Sequence, residues 1–581
     1  MKKIIGVLFI AFLFACSGDK KVEVIVDQNQ LFDNYKETFI NQLWENSPGW
    51  AMWVGYHKYD HILTIPNEET RKKELAFAQN HLDSLSNFSI EGLSDNNKTD
   101  FYLMENLLKG NIWTINELKS YEWDPSSYNV SGGFSNILTT DFDKLENRLD
   151  VFFQRMESIP AYFEAAKQNV KNPTLEHTQL AIDQNLGGLS VFETELEEAI
   201  EKSSLDENTK TEIYKRADKA IAAIKDYADW LKNLKNETPR SFRLGKELYA
   251  KKFEFDIQSS NTAEEIYQKA LKSKADLHIK MAEITHKIWG NYFKQAIPSD
   301  TLKAVKMMID KLSSKHVQPD SFQTAIEQQI PVLVEFIKEK DLIYIDPSKP
   351  LIVRKEPAYM AGVAGASISS PGPYEKNGNT YYNVGSLEGW PKEQSESYLR
   401  EYNHYILQIL NIHEAIPGHY TQLVYSNQSP SLIKAILGNG AMIEGWAVYT
   451  ELMMLENGYG NNEPEMWLMY YKWNLRTVCN TILDYSVHTQ DFTKEDALNL
   501  LVNEAFQQQA EAEGKWKRVT LTQVQLCSYF TGFKEIYEFR EEYKNKVGKD
   551  FNLKKFHEKF LSYGSAPVRN IREMMLADLE K

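Results

Sequence analysis

Apolar residues recur at steps of three and four residues along most of this chain. Phe32, Tyr35, Phe39 and Leu43 follow this spacing near the start, and the run over residues 213–231 follows it further on. Such spacing places apolar side chains on one face of an α-helix, where they can pack against a core. The sequence therefore predicts a mainly α protein.

The chain has 581 residues, and a single hydrophobic core usually stops growing at roughly 250–300 residues. We therefore expect a large multi-helix, bilobal body. Turn residues followed by β-formers interrupt the helical pattern at Leu351-Ile352-Val353 and again at residues 380–384. These features predict a helical N-terminal lobe over residues 31–345, a second lobe over residues 346–581, and a small β patch at the start of the second lobe.

The formal net charge is −15. A nucleic-acid partner is not expected, because phosphate binding needs a basic face. Apart from Cys16, the cysteines are Cys479 and Cys527. Two cysteines could pair, but they do not form a disulfide framework, and we expect buried thiols.

The N-terminus has the pattern of a secretory signal. Lys2 and Lys3 precede an apolar run over residues 4–14, which is too short to span a bilayer. The segment that ends in Ala15-Cys16 resembles a bacterial lipobox. It predicts a signal peptide over residues 1–15, a lipidated Cys16 and a polar tether that extends to residue 30. The alternative is an ordinary signal peptide that happens to end in cysteine. The lipobox interpretation predicts a cell-envelope lipoprotein that is anchored to a membrane without spanning it.

The segment His413-Glu414-Ala-Ile-Pro-Gly-His419 lies at the end of an amphipathic run. In the familiar His-Glu-x-x-His zinc motif, two histidines four residues apart share one helix face and the glutamate is the general base. Here the histidines are six residues apart, so a regular helix would turn them roughly 120° from each other. Proline and glycine at positions 417 and 418 predict a local distortion that brings His419 back beside His413.

A catalytic zinc site needs a third protein ligand. The best candidate is Glu444, which begins a second predicted helix, and Glu451 lies seven residues further on the same face. We therefore predict His413, His419 and Glu444 as ligands of one zinc per chain, with Glu451 supporting them. The lobe 346–581 would then be the metal-binding catalytic lobe. The spacing alone is also compatible with a capping histidine and a surface histidine, and the ligand set does not exclude another divalent metal.

Taken together, these motifs resemble the bacterial family known as domain of unknown function 885, which is often placed with gluzincin-type zinc metallopeptidases. The likeness covers most of the mature chain as one continuous domain over roughly residues 31–581. It implies a mainly helical, zincin-like fold with a deep central cleft and the metal at its floor. The chain departs from the family pattern at Val519, where Tyr is usual, at Gln523-Val524, where Pro-Gly is usual, and at Ser486, where Gly is usual. These departures bear on the shape of the substrate pocket.

The resemblance also singles out residues beyond the metal motif. Tyr529, His488 and Arg540 are candidates to donate hydrogen bonds to an oxyanion, by chemistry and by family position, although each could equally be structural. Asp484 could orient His488 or lie on a helix surface. Arg476 matches an arginine helix of the family. The strand with Tyr381, Tyr382 and Asn383 could bind a peptide as an added strand or pack in the core.

These observations predict an extracytoplasmic zinc-dependent hydrolase, with Glu414 as general base and a peptide as substrate. Two alternatives remain at this point. The enzyme could hydrolyse another amide bond, such as that of a cell-wall or amino-acid conjugate, at an identical metal site. The chain could also be a binding lipoprotein that has lost its chemistry.

Overall fold

The computed structural model describes residues 27–356, 366–375, 379–429 and 431–580. The predictions for the signal segment and for Cys16 lie outside these ranges. Within them the chain is mainly helical with one small sheet, which confirms the predicted fold class at that level. No helix in the described ranges is both long and apolar enough to cross a membrane.

The first fifteen α-helices, α1 to α15, are Gln28–Asn46, Pro48–Trp53, Glu68–Leu85, Asp95–Trp113, Ser120–Trp123, Ser131–Thr139, Leu145–Met156, Ile159–Asn169, Leu175–Gly187, Thr194–Lys202, Glu207–Lys232, Lys246–Ile257, Ala263–Tyr292, Thr301–Ser313 and Phe322–Lys340. The sheet follows them. The remaining α-helices, α16 to α26, are Lys392–Glu401, His404–Glu414, His419–Asn427, Leu432–Ile436, Gly440–Glu456, Pro464–Thr489, Lys494–Leu498, Gln509–Leu521, Cys527–Val547, Leu553–Ser562 and Val568–Leu579.

Short helical turns of other types connect several of these helices. The 3-10 turns are His57–Tyr59, Ile90–Gly92, Pro125–Ser127, Gly188–Val191, Pro319–Ser321, Tyr459–Asn462 and Gly548–Asp550. The π turns are Thr114–Leu118 and Asn499–Glu504.

The sheet has three strands, β1 Leu351–Lys355, β2 Ala366–Ser369 and β3 Thr380–Val384. Their order is β1-β3-β2, with β1 parallel and β2 antiparallel to the central strand β3. The β patch before the candidate metal motif is therefore present as predicted. Strand β2 was not predicted, because its Ala- and Ser-rich residues carry little β-forming signal.

The buried apolar residues of the described ranges form three clusters. The largest draws on both predicted lobes, with Ile309 and Ile337 before residue 345 and Ile409 and Leu483 after it. A second cluster joins residues 52–231, and a third packs α1, α3 and α4 against α19. The predicted division near residue 345 is therefore not a boundary between cores. The two thiols Cys479 and Cys527 are free and buried, as expected.

The two helices that carry the candidate ligands begin at asparagine caps. The Asn403 side chain accepts hydrogen bonds from the backbone N–H groups of Tyr405 and Ile406 at the start of α17. Asn439 accepts one from Met442 at the start of α20. An N-cap that satisfies such backbone donors stabilises a helix by about 1 kcal/mol. These caps fix where each helix begins and hence the direction in which its later side chains point.

Helices α20 and α24 approach each other so closely that their backbones touch. A Cβ atom on Gly445 of α20 would lie 2.2 Å from the carbonyl carbon of Gly532 in α24. A Cβ atom on Gly532 would lie 1.7 Å from the Ala441 carbonyl oxygen. Any larger side chain would force the helices apart. This contact places the first turns of α24 beside Glu444, the residue before Gly445.

Candidate metal centre

The chain between the two histidines does not continue as a helix. Helix α17 ends at Glu414, α18 begins at His419, and the Ile416–Pro417 peptide bond is cis. A Cβ atom on Gly418 would lie 1.8 Å from the His413 carbonyl oxygen, so only glycine fits this turn. The Trp446 indole N–H donates to the Pro417 carbonyl at 2.8 Å and ties the turn to α20. The distortion predicted from Pro417-Gly418 is present.

This break brings the three predicted ligands together. The ligand atoms of His413, His419 and Glu444 all lie within 4.8 Å of one another. Glu444 Oε2 lies 3.3 Å from His419 Nε2 and 3.8 Å from His413 Nε2, and the two rings are nearly perpendicular at 88°. Ligand atoms around a tetrahedral zinc are roughly 3.3 Å apart, given Zn–N and Zn–O bonds of about 2.0–2.2 Å. The spacing therefore suits a metal ion with little adjustment.

Glu451 orients the first histidine. Its Oε1 atom lies 2.7 Å from His413 Nδ1 and accepts a second hydrogen bond, at 3.0 Å, from the Trp473 indole N–H. Trp473 can only donate, so Oε1 accepts that hydrogen bond, and when the Glu451 carboxylate is ionised the proton on the imidazole belongs on Nδ1. That tautomer leaves the Nε2 lone pair of His413 directed at Glu444. Partners of this kind are usual behind metal-binding histidines. Trp473 was not identified from the sequence, which carries no motif for it.

The electrostatics of the cluster favour a cation. Burial lowers the pKa of His413 to about 4, so its imidazole is neutral near pH 7. Its free Nε2 lone pair faces Glu444 Oε2, a buried atom without a hydrogen-bond partner in the described chain. For His419, burial acts to lower the pKa, but the Glu444 carboxylate outweighs it and raises the pKa to about 8. A proton or a metal ion between these atoms would offset the repulsion between the imidazole lone pair and the carboxylate. Two imidazoles and a carboxylate are a donor set that zinc accepts.

Glu414 lies at the end of α17, next to His413. Its side chain is half-buried and forms no hydrogen bond within the described ranges. Burial raises the pKa of this carboxyl, and the two nearby imidazoles act to lower it. Its neighbour Tyr382 is fully buried and donates to Asn411 Oδ1 at 2.9 Å. A free carboxyl with a raised pKa beside the ligands has the properties of a general base.

Tyr529 lies one turn before Gly532, on the part of α24 that packs against Gly445. Burial and then the charge of Glu444 raise the pKa of its phenol, which therefore stays protonated at neutral pH. Arg518 Nη2 donates to the Tyr529 oxygen at 3.4 Å and to Gln525 Oε1 at 2.7 Å. Sequence reasoning gave Arg518 and Gln525 no role.

His488 and Asp484 lie elsewhere. His488 is 15 residues beyond Trp473 on α21, roughly 22 Å along a regular helix. Its Nε2–H donates to the carbonyls of Val519 and Thr522 at 3.0 and 3.1 Å, and Nδ1 has no partner in the described chain. None of these contacts is with a candidate ligand, and the predicted catalytic role of His488 stays a prediction.

Asp484 does not hydrogen-bond to His488, as the predicted orienting role would require. Its carboxylate accepts the backbone N–H groups of Val524 and Leu526 at 2.9 and 3.0 Å, together with the Tyr249 hydroxyl at 3.0 Å. Val524 has φ +69°, a conformation that is unfavourable for a β-branched residue. Asp484 therefore holds the tight turn that connects α23 to α24.

The two predicted arginines differ in their surroundings. Arg476 donates to Glu511 at 2.6 Å, and its guanidinium carbon lies 4.8 Å from the ring of Trp473, so it is near the ligand cluster. Arg540 donates to Glu456 at 2.7 Å, about 18 Å along α20 from Glu444. Arg540 therefore links α24 to the far end of α20 and lies away from the candidate ligands.

The strand of Tyr381, Tyr382 and Asn383 cannot take up a peptide as an added strand. It is β3, the centre of the sheet, and both of its edges are already paired. Asn383 accepts from Arg354 Nε at 2.7 Å, and the Arg354 guanidinium stacks on Tyr381 at 3.8 Å. This strand is part of the packed sheet.

The candidate ligands are largely buried, but each keeps some exposure to solvent. The side chains of His413, His419 and Glu444 keep 10%, 13% and 23% of their accessible surface. Glu414 and Tyr529 are also partly exposed, although burial shifts the pKa of both. The cluster therefore keeps some contact with solvent.

The chain is similar to a known protein family and to solved structures. A model of the family described as "bacterial protein of unknown function (DUF885)" matches residues 48–575. The chain belongs to this family. A solved structure from Shewanella oneidensis, described as a candidate lipoprotein of unknown function, is similar over 94% of this chain and 99% of its own, with 55% identity and a TM-score of 0.87.

A second structure is described as a candidate lipoprotein from Colwellia psychrerythraea. The similarity extends over 96% of this chain and 100% of that one, with 17% identity and a TM-score of 0.78. This likeness shows a shared fold. No curated protein matches the sequence.

Proposed function

We propose that this DUF885 protein is a zinc-dependent metallopeptidase, anchored by lipid on the extracytoplasmic side of a bacterial membrane. One observation carries the proposal. Glu444 Oε2 is buried 3.3 Å from His419 Nε2 and 3.8 Å from His413 Nε2, and no donor in the described chain reaches it with good hydrogen-bond geometry. Buried polar atoms are rarely left without a partner, so such an atom calls for an explanation. A metal ion held by His413, His419 and Glu444 would satisfy all three ligand atoms at once.

When bound, zinc would supply Lewis acidity toward a peptide carbonyl and make water acidic enough to lose a proton near neutral pH. The chain's own residues would supply the rest of the chemistry. Glu451 would hold His413 in the ligating tautomer through Nδ1. Glu414 has no competing hydrogen bond in the described chain and would accept the proton of the attacking water.

Hydrolysis then balances as follows. The water oxygen bonds to the carbonyl carbon, the C–N bond breaks, and Glu414 passes the accepted proton to the departing amine. Charge develops on the carbonyl oxygen during this step and needs hydrogen-bond donors. Tyr529 can act as one, because Arg518 donates to its oxygen and leaves the phenolic hydrogen free.

The proposed location depends on the N-terminus. Cys16 would carry the lipid, and the following polar residues would act as the tether. Two observations support an anchored protein. The described residues contain no helix able to span a membrane, and both similar structures are described as candidate lipoproteins.

The test combines metal analysis with peptide-library hydrolysis on the full chain in detergent. We expect one zinc per chain and cleavage that chelation abolishes and zinc restores. Glu414→Gln should keep the zinc and lower the turnover by about 10²–10⁴-fold, since it removes only the proton acceptor. His419→Ala should lose both the zinc and the activity.

Glu393→Gln serves as the matched control, because it makes the same change at an exposed position on α16. It should keep both zinc and activity. If the protein binds zinc but cleaves no peptide, the substrate would have to be a different kind of amide. Absence of stoichiometric metal from protein purified without chelators would overturn it.

A further inference from the structure

Arg518 is an exposed residue in the last turn of α23, and its described partners are all neutral. Nη2 donates to Gln525 Oε1 at 2.7 Å and to the Tyr529 hydroxyl oxygen at 3.4 Å. The Nε and Nη1 groups make no hydrogen bond within the described chain, and no carboxylate there pairs with Arg518. The guanidinium is therefore oriented by two side chains and still has free donors.

Three buried or partly buried cations in this region are compensated. Arg476 donates to Glu511 at 2.6 Å, and Lys472 donates to Glu401 at 2.8 Å. Lys515 donates to Asn480 at 2.9 Å and lies 3.9 Å from Glu511. In a chain with a net charge of −15, a guanidinium without an acidic partner is a natural place for an anionic group of a ligand.

The position of Arg518 relative to the candidate centre follows from the helix contacts. Tyr529, which it touches, lies one turn before Gly532, and Gly532 contacts the backbone of Gly445 beside Glu444. The charges agree with this placement. Burial raises the pKa of Glu444, but His419, His413 and Arg518 act to lower it, and the net effect is a lowered pKa.

The chemistry of the free donors indicates the kind of anion. A guanidinium presents parallel N–H groups that match the two oxygens of a carboxylate, a geometry that a lysine ammonium cannot reproduce. A peptide that extends from the candidate centre toward Arg518 would bring its C-terminal carboxylate to these donors.

We propose that Arg518, held by Gln525 and Tyr529, binds the free C-terminal carboxylate of short peptides, so that the enzyme removes residues from the C-terminus. This inference rests on the proposed peptidase function and adds its substrate class. Anchoring one end of the substrate fixes which peptide bond meets Glu414. Long chains without a nearby C-terminus, and peptides whose terminal carboxylate is blocked, should be poor substrates.

The test uses pairs of short peptides that are identical except for a free acid or an amide at the C-terminus. The zinc-loaded full chain in detergent should cleave the free acids with a kcat/KM about 30-fold higher, the effect expected for a hydrogen-bonded charge. Mass spectrometry should show one or two residues released from the C-terminus. Arg518→Gln should raise KM for the free acid by a similar factor and bring the acid-to-amide ratio close to one, and any further loss through its contact with Tyr529 should be the same for both peptides.

Two further variants make the result specific. Arg518→Lys keeps the charge but loses the paired donors, so the acid-to-amide ratio should fall to an intermediate value. Lys517→Gln removes an exposed positive charge one residue away and should leave the ratio unchanged. The zinc content of each variant should equal that of the wild type.

The outcomes separate the two proposals. Cleavage of acid and amide peptides at equal rates, cleavage at internal bonds only, or an equal loss on both substrates in Arg518→Gln would overturn the role of Arg518 while leaving a peptidase. Failure of the zinc-loaded protein to cleave either peptide, or any member of a wider library, would overturn both.

Discussion

Two groups of buried histidine and carboxylate side chains occur in this protein, and they differ in how fully their polar atoms are satisfied. At the first, Glu444 Oε2 has no hydrogen-bond partner in the described chain, and His413 Nε2 faces it without a proton. At the second, both oxygens of Asp484 accept hydrogen bonds, and His488 donates to two backbone carbonyls. The residue types are nearly the same, and His488 Nδ1 also has no partner in the described chain. Among the described residues, however, only His413, His419 and Glu444 bring three potential ligand atoms within 4.8 Å of one another.

The comparison shows that residue type alone does not identify a reactive site. Burial raises the pKa of Asp484 and lowers that of His488, as it does for many active-site groups. Their hydrogen bonds nevertheless go to backbone atoms of α23 and of the turn after it. This second group acts as a support, because the turn it holds carries Gln525, which orients Arg518.

Among the substitutions that test this contrast, Glu444→Gln is expected to have the largest effect on activity. Loss of a ligand should remove zinc and lower kcat/KM by at least about 10³-fold, the equivalent of several kcal/mol of transition-state stabilisation. In the metal-free protein the substitution removes the attraction between Glu444 and protonated His419, but it adds an amide that can donate to His413 Nε2. We expect these effects to offset each other to within about 1 kcal/mol of unfolding free energy, measured by chemical denaturation in the presence of chelator.

The matched control is Glu456→Gln at the other end of α20. It removes the same charge and weakens the ion pair with Arg540. It should keep the zinc and most of the activity. If metal-free Glu444→Gln were instead clearly less stable than the wild type, Glu444 would have a structural partner, and the contrast between the two groups would disappear.

Part of the site could be predicted because it depends on local geometry. The distance between His413 and His419 along the chain is incompatible with a regular helix, and Pro417-Gly418 marks where the helix must break. Glu451 lies seven residues after Glu444, so a single helix face presents both. These relations need only helix geometry and the known behaviour of proline and glycine.

The rest depends on contacts between distant segments. Trp473 reaches Glu451 only because α21 packs beside α20, and no local pattern announces that packing. The partners of His488 are backbone carbonyls of a distant segment, which its position on α21 alone does not predict. The interior position of β3 depends on β2, a strand whose composition gives no β signal. The role of Arg518 appears only when the contact between α20 and α24 is known.

A second test of the contrast uses His557, a buried histidine whose two ring nitrogens both have partners. Nδ1 donates to the Leu342 carbonyl at 2.8 Å, and Nε2 lies 2.7 Å from the Tyr449 hydroxyl. Burial lowers its pKa to about 4, against about 6.5 in the unfolded chain. The folded state then binds a proton less tightly than the unfolded state. Its contribution to stability is complete above pH 6.5 and is lost as the pH falls toward 4.

This difference in pKa corresponds to about 3 kcal/mol at pH 4. His557→Gln keeps an amide donor for Leu342 and an acceptor for Tyr449 but cannot titrate. Its unfolding free energy should therefore fall less steeply than that of the wild type between pH 6.5 and 4.5, measured by urea denaturation at each pH. Both proteins contain His413, so its effect on the pH dependence of the unfolding free energy cancels when the wild type and His557→Gln are compared. Equal slopes would mean that His557 is not held neutral by burial.

The smallest effect is expected from Asp484→Asn, which tests the supporting group directly. Asparagine keeps one acceptor oxygen, so either the Val524 or the Leu526 N–H loses its partner, at a cost of about 2 kcal/mol in unfolding free energy. Zinc stoichiometry should not change, because Asp484 contacts none of the candidate ligands. The loosened turn should let Gln525 and Arg518 move, raising KM for free-acid peptides a few-fold with little change in kcat. A large fall in kcat with normal stability and zinc content would instead give Asp484 and His488 a part in the chemistry, and the two groups would have to be regarded as one site.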